Sequence, residues 1–299
     1  IMPLVVLAAE LDQNKQLILE SQVLLDEALS SAKIEGEILD RESVRSSICN
    51  RLGIGQVSQN SRSTEAYIDM LLDCVRTSDQ TLTENHFFRW HQLLFTEKPT
   101  LYNLRIGEYR TDTMQAISDH YGKQTVHFEA PCHNADCLQK EMTQLIHYLN
   151  ENKESSPYIQ AAIAKFRFVT IHPVDDGNGR LSRVLAERFL AIAENSQMRF
   201  YAISQQIEKN RKAYYEILEQ TQKGTLELTD WIIWFLQQVR DAALSSREKL
   251  NKIRQATLFW DQHRHTQFNA RQRKLITRLL ETSDFDEGIA RRKYKNLVN

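Results

Sequence analysis

The sequence predicts a mainly α-helical protein interrupted by one β-hairpin. Apolar residues recur at helical spacing along most of the chain, and Pro and Gly are sparse, at 5 and 9 in 299 residues. Residues 102–131 lose the helical pattern, giving way to short strand-like runs. A hydrophobic content of 41% and a formal net charge of −1 describe a soluble globular chain able to bury a core. That balance calls for neither a nucleic-acid nor a membrane partner, and no apolar run reaches the length needed to span a bilayer. The length suits two domains, or one large domain with appendages.

The elements follow in order. Residues 2–9 are apolar but lack a basic flank and meet Glu10 and Asp12, so they are not read as a signal peptide. In 11–34, Leu17, Ile18, Val23, Leu24, Leu25, Ala28 and Ala32 form an apolar stripe, and Gly36 supplies a C-terminal stop. Glu35 is oddly placed there, because an acid at a helix C-terminus opposes the dipole. A short helix over 38–52 has Asp40 as its cap, and the polar stretch 53–63 reads as a boundary loop. Residues 64–77 and 83–96 are two further amphipathic helices. His86 and His91 in the second lack the i, i+4 spacing of a helical zinc pair and are read as structural.

Strand-like runs at 114–117 and 125–128 flank a polar turn at 118–122, a hairpin whose free edge suits an extended peptide. Helix resumes over 133–152. The four cysteines follow no framework pattern; Cys132 and Cys137 enclose His133, but no second pair completes a metal site. All four are therefore read as free thiols, and a reducing cytoplasm as the compartment.

Two apolar-faced helices then flank the most informative stretch of the chain. The first opens with Ser156-Pro157, a cap followed by a first helical residue, and carries Ile159, Ala162, Ile163, Phe166 and Val169 on one face. The second carries Leu181, Val184, Leu185, Phe189 and Ile192. Between them lies His172-Pro173-Val174-Asp175-Asp176-Gly177-Asn178-Gly179-Arg180-Leu181-Ser182-Arg183. Gly177 and Gly179 permit unusual backbone angles and close approach, and free N–H groups opening a helix form an anion site. Arg180 and Arg183, at i and i+3, share one side of the first turn and suit a ligand with several phosphates. Arginines there oppose the dipole, which points to a bound anion. Asp176 is a hard oxygen ligand suited to Mg²⁺, and His172 is poised to accept a proton near neutrality. The constellation reads as a phosphoryl- or nucleotidyl-transfer site.

Beyond it, 207–218 reads as one helix carrying Tyr214 and Tyr215. Thr229-Asp230 is expected to cap a strongly apolar helix, 231–236, buried and closing the core. From Ser246 onward thirteen Lys and Arg stand against six Asp and Glu, a basic tail read first as a solvated helical face.

The 172–183 stretch resembles the signature of the Fic family, H-x-F-x-[D/E]-G-N-G-R-x-x-R, departing only at Val174, where the family's Phe anchors the loop. The resemblance spans roughly 31–238. It implies a Fic-type helical bundle with a β-hairpin flap, an N-terminal inhibitory helix and a partial C-terminal winged-helix-like module. The expected division is 1–55, 56–245 and 246–299. Gly288 to Tyr294 would open the last helix before a recognition element.

The implied activity is transfer of AMP from ATP to a Ser, Thr or Tyr hydroxyl of a protein target. His172 would be the base and Asp176 the Mg²⁺ ligand. Gly177, Asn178 and Gly179 would cradle the α- and β-phosphates, and Arg180 and Arg183 would bind the β- and γ-phosphates. Gly179, where the phosphate-transferring Doc branch has Lys, favours adenylylation. Ser31-Ala32-Lys33-Ile34-Glu35-Gly36 resembles the family's inhibitory motif [S/T]-x-x-x-E-[G/N], in which Glu35 would pair with Arg183. The resemblance further implies a base contact from Tyr214 or Tyr215, and target docking on the 114–128 flap. Self-modification and DNA binding through the C-terminal module are further partner expectations. The alternatives are removal of AMP at the same site, or a nucleotide-sensing DNA-binding regulator.

Overall fold

A computed structural model describes residues 2–54, 62–96, 104–120, 123–152, 154–225 and 227–281. The chain opens with α1 (Met2–Ala9) and the long α2 (Gln13–Ile34), which starts where the Asp12 carboxylate accepts the Lys15 N–H. It ends at Gly36, whose φ of 82° is the left-handed turn anticipated from sequence. Asp40 caps α3 (Arg41–Leu52) as expected, through Ser43 N–H. Next come α4 (Arg62–Arg76) and α5 (Glu84–Leu94).

Strands β1 (Gln115–His120) and β2 (Lys123–Glu129) pair antiparallel with an irregularity between Ala116 and Ile117. Both run further into the expected turn than the alternation implied, because cross-strand backbone pairing continues to His120 and Lys123. Helix α6 (Ala135–Glu151) follows, capped by Asn134. The free-thiol reading fails at its entrance: Cys132 and Cys137 form a disulfide, their Cα atoms 5.4 Å apart across the helix start. With it goes the argument from thiols to a reducing compartment. Cys49 and Cys74 are free.

The centre is the pair α7 (Pro157–Ile171) and α8 (Asn178–Glu194). Pro157 occupies the first helical position as predicted, while Ser156 makes no side-chain cap bond. Phe168 is fully buried on α7 and stacks on Phe87 of α5, ring centroids 5.2 Å apart. Leu181, Val184, Leu185 and Phe189 are buried as the apolar spacing implied, but Ile192 is exposed, and α8 is buried all round from Arg180 to Ala191 because neighbouring helices cover its polar face too.

The single helix expected over 207–218 is two, α9 (Ile203–Lys209) and α10 (Arg211–Lys223). Asn210 breaks it: its amide donates to Gln206 O at 3.2 Å and to Gln238 Oε1 at 2.8 Å. A side chain that bonds nearby backbone in this way competes with helix continuation. Helix α11 (Thr229–Gln262) then runs unbroken through residues 245 and 246, with Leu228 at its N-cap in place of the expected Thr229-Asp230. Its apolar start is only partly buried, with Trp231 and Phe235 inside and Ile233 exposed, as helical periodicity requires. Helix α12 (Ala270–Glu281) packs back on α11, and the expected helix at 288–294 lies outside the described residues.

Truncation of Phe168 to Ala should remove both its own burial and the Phe87 stack, costing about 3–5 kcal/mol. Urea denaturation of the variant against wild type reads this as a lowered midpoint at unchanged slope.

Candidate functional site

The loop between α7 and α8 is built by side chains that bond its backbone. His172 ends α7 in a left-handed conformation, φ 53° and ψ 59°, with its N–H still bonded to Phe168 O at 3.0 Å. Its Nδ1 lies 3.1 Å from Val169 O, so Nδ1 carries the proton and Nε2 is left as the acceptor. Burial is the main cause that pushes the His172 pKa below its ordinary 6.5, with the Arg110 charge adding to it. The imidazole is therefore neutral at neutral pH.

Arg110, fully buried, latches this turn: its Nε donates to His172 O at 2.6 Å and its amide to Pro173 O at 2.9 Å. His91 holds the other side, donating from Nε2 to Asp176 O and accepting the Gly107 N–H on Nδ1, both at 3.1 Å. Neither role had a signal in sequence beyond the presence of the residues. Val174, the departure from the family's Phe, is buried. Its N–H is accepted by Asn178 Oδ1 at 3.1 Å, and its carbonyl accepts from Asn178 Nδ2 at 2.7 Å. The Asn178 side chain is thus engaged by the loop, leaving its backbone as the part free to meet a ligand.

Gly177 is the N-cap of α8 at φ 86°, a conformation that favours glycine, and its amide donates to Asp176 Oδ1 at 2.6 Å. Asp176 is more than half exposed, with Oδ2 3.6 Å from Arg180 Nη2. Among the described residues no group of three or more His, Cys, Asp or Glu could hold a metal. A lone exposed carboxylate beside an anion site fits Mg²⁺ in the manner of ions that keep waters and share a polyphosphate. Asp175 faces elsewhere, accepting Arg105 N–H at 3.0 Å.

The end of α2 covers the start of α8. Arg183, 1% exposed, donates from Nε to Ser31 Oγ at 2.9 Å and from Nη2 to Ser31 O at 3.2 Å and Glu35 Oε1 at 2.7 Å. The Glu35–Arg183 pairing implied by the inhibitory motif is therefore formed, and Ser31 of the same motif also bonds Arg183. Burial alone would raise the Glu35 pKa, but Arg183, assisted by Arg180 and Lys165, holds it below its ordinary 4.5. The Glu35 carboxylate presses on Gly179, where a Cβ would come within 2.3 Å of Oε1. Arg180 pairs with Glu37 at 2.9 Å, a partner the motif did not suggest, and lies over the Phe95 ring.

His172, Gly179, Arg183, Glu35 and both tyrosines line one pocket of about 690 Å³, bounded on the flap side by His127 and Phe128. The two tyrosines differ. Tyr214 is buried, stacked on Trp234, and accepts from Lys165 Nζ at 2.9 Å. Tyr215 is exposed to the pocket, with its hydroxyl 3.4 Å from Ile34 O. A larger cleft of about 750 Å³ lies behind α8 around Arg188 and holds none of the loop residues.

A helical bundle carrying a loop-borne imidazole, a glycine-bounded helix start and two arginines has the chemistry suited to an anion. Residues 81–190 match the Fic/DOC family, and residues 3–54 match a domain of unknown function, DUF4172. The chain therefore contains a Fic/DOC domain, whose fold is shared by solved relatives. A Fic family protein from Desulfovibrio desulfuricans is 20% identical with a TM-score of 0.60, covering 99% of this chain and 84% of that one. A Fic domain containing signaling protein from Bacteroides thetaiotaomicron is 19% identical with a TM-score of 0.63, covering 84% and 93%. Over 58 residues the chain is 41% identical to a Fido domain-containing protein of Dictyostelium discoideum, a match spanning 18% of this chain and 41% of the relative.

The Glu35–Arg183 pair should contribute stability above the ordinary carboxylate pKa, and lose it as pH falls through the depressed value below 4.5. The gap in denaturation midpoint between wild type and Glu35→Gln is expected near neutrality and should narrow steadily on acidification.

Proposed function

We propose that the protein is an adenylyltransferase that moves AMP from ATP to a hydroxyl side chain of a protein target and is held in check by Glu35. The observation that carries the reading is one pocket shared by a neutral imidazole with a free Nε2 and by Arg183, across which Glu35 lies. In the reaction, Nε2 of His172 takes the proton of the target hydroxyl as its oxygen attacks the α-phosphorus. The α–β bridging bond breaks, and pyrophosphate leaves with its charge on the arginines. The backbone of Gly177, Asn178 and Gly179 at the start of α8 supports the α- and β-phosphates. Arg180 and Arg183 take the β- and γ-phosphates, and the exposed ring of Tyr215 is the better placed of the two for the base. Mg²⁺ held by Asp176 would neutralise phosphate charge. The β1–β2 hairpin, beside the pocket through His127 and Phe128, is the proposed dock for the target.

Glu35 blocks because it occupies Nη2 of Arg183 and covers Gly179, so a triphosphate reaches neither until the carboxylate leaves. The test is label transfer from ATP labelled at the α-phosphate, with the protein as its own acceptor. Strong labelling is expected only in Glu35→Gly, and should disappear in Glu35→Gly with His172→Ala. No labelling in any variant, with ATP binding intact, would sink the transferase reading and promote AMP removal or nucleotide sensing. Because the His172 pKa is depressed, the half-maximal point of the acid limb of the labelling rate of Glu35→Gly should lie below pH 6.5. A rate already halved at 6.5 would remove His172 as the base.

A further inference from the structure

The turn that ends α2 delivers two carboxylates to the anion site. Glu35 reaches Arg183 at 2.7 Å, and Glu37 reaches Arg180 at 2.9 Å. The geometry follows from Gly36. Its φ of 82° reverses the chain, and the Glu37 N–H returns to Ala32 O at 2.9 Å, which fixes Glu37 against the last turn of α2. Acids two positions apart thereby meet arginines three positions apart on one side of α8. We propose that Glu37 is a second blocking carboxylate that gates the Arg180 end of the anion site, separately from Glu35 at the Arg183 end.

Three observations carry this beyond a surface ion pair. The Arg180 side chain is only 11% exposed although that of Glu37 is 47% exposed, so the acid reaches inward to the arginine. Arg180 Nε is buried and makes no hydrogen bond, so the fork is only partly satisfied by Glu37 at 2.9 Å and Asp176 at 3.6 Å. A phosphate, offering more oxygens in bidentate geometry, would satisfy it better once Glu37 withdraws. Finally, the two pairs lie on different guanidinium groups, so removing Glu35 leaves Arg180 engaged. The block is divided by phosphate position: Glu37 opposes the phosphate that Arg180 would hold, and Glu35 the next one.

This inference rests on the nucleotide reading above, and the length of the phosphate chain separates the two. Calorimetric titration of the full chain with AMP, ADP and ATP in the presence of Mg²⁺ would compare wild type, Glu37→Gln, Glu35→Gly and the double variant. Glu37→Gln is expected to tighten ADP about tenfold in either Glu35 background and to leave AMP within about twofold, since AMP lacks the phosphate that Arg180 would meet. The half-exposed position of Glu37 keeps the variant folded, which an unchanged thermal midpoint would verify. An unchanged ADP affinity, or an AMP affinity raised as much as that of ADP, would overturn the role of Glu37 alone. Failure of Glu35→Gly to bind any of the three nucleotides would overturn the nucleotide reading itself, and this inference with it.

Discussion

A guanidinium with almost no solvent contact, that of Arg183, is the constraint on which the rest of the site depends. An ionised group taken out of water must be repaid by partners, and loss of one partner leaves a buried charge uncompensated. Those partners come from α2: the Ser31 hydroxyl, the Ser31 carbonyl and the Glu35 carboxylate. The position of α2 is therefore dictated by a polar requirement of α8 as well as by the apolar contacts of Val23, Leu24 and Ala28. A helix that is merely hydrophobic on one face can slide along its neighbour; one that must meet a fixed arginine fork cannot.

The loop between α7 and α8 obeys the same logic on the scale of the backbone. A turn between two buried helices exposes carbonyls and amides that need partners, and here they receive them from Arg110, His91 and Asn178. Arg110, His91 and Asn178 do not line the pocket, so most of the side-chain hold on the loop comes from residues outside it, Asp176 adding one bond to Gly177 N–H. Val174 fits the same scheme. Its side chain is buried and its peptide is clamped on both sides by Asn178, which supplies by hydrogen bonding some of the rigidity expected from a larger ring.

Much of this was legible in the sequence, for reasons that differ by element. The spacing of apolar residues placed α7 and α8 and part of their buried surface, but not its extent: both helices are covered beyond the apolar stripe, while Ile192 at its end is exposed. Asp40 and Gly36 were readable because caps and left-handed stops have few substitutes. The dipole argument marked Glu35, Arg180 and Arg183 as misplaced, and all three are the residues that pair across elements. What escaped depends on tertiary distance. The break at Asn210 needs Gln238, and the Cys132–Cys137 bond needs the chain to bend into α6. Arg110 serves a loop sixty residues downstream in the chain, a relation that no local pattern encodes.

The missing side chain at Gly179 has a consequence of its own. The volume a methyl group would fill there is taken by the Glu35 carboxylate, so under the proposed function an anion at the start of α8 and the end of α2 would compete for one space. Mutual exclusion is a thermodynamic link and runs equally in both directions. Under that proposal, whatever draws α2 aside would strengthen anion binding by some factor, and the anion would loosen α2 by that same factor. The grip of α2 on its neighbours, far from the loop, would thereby become part of the apparent affinity of the site.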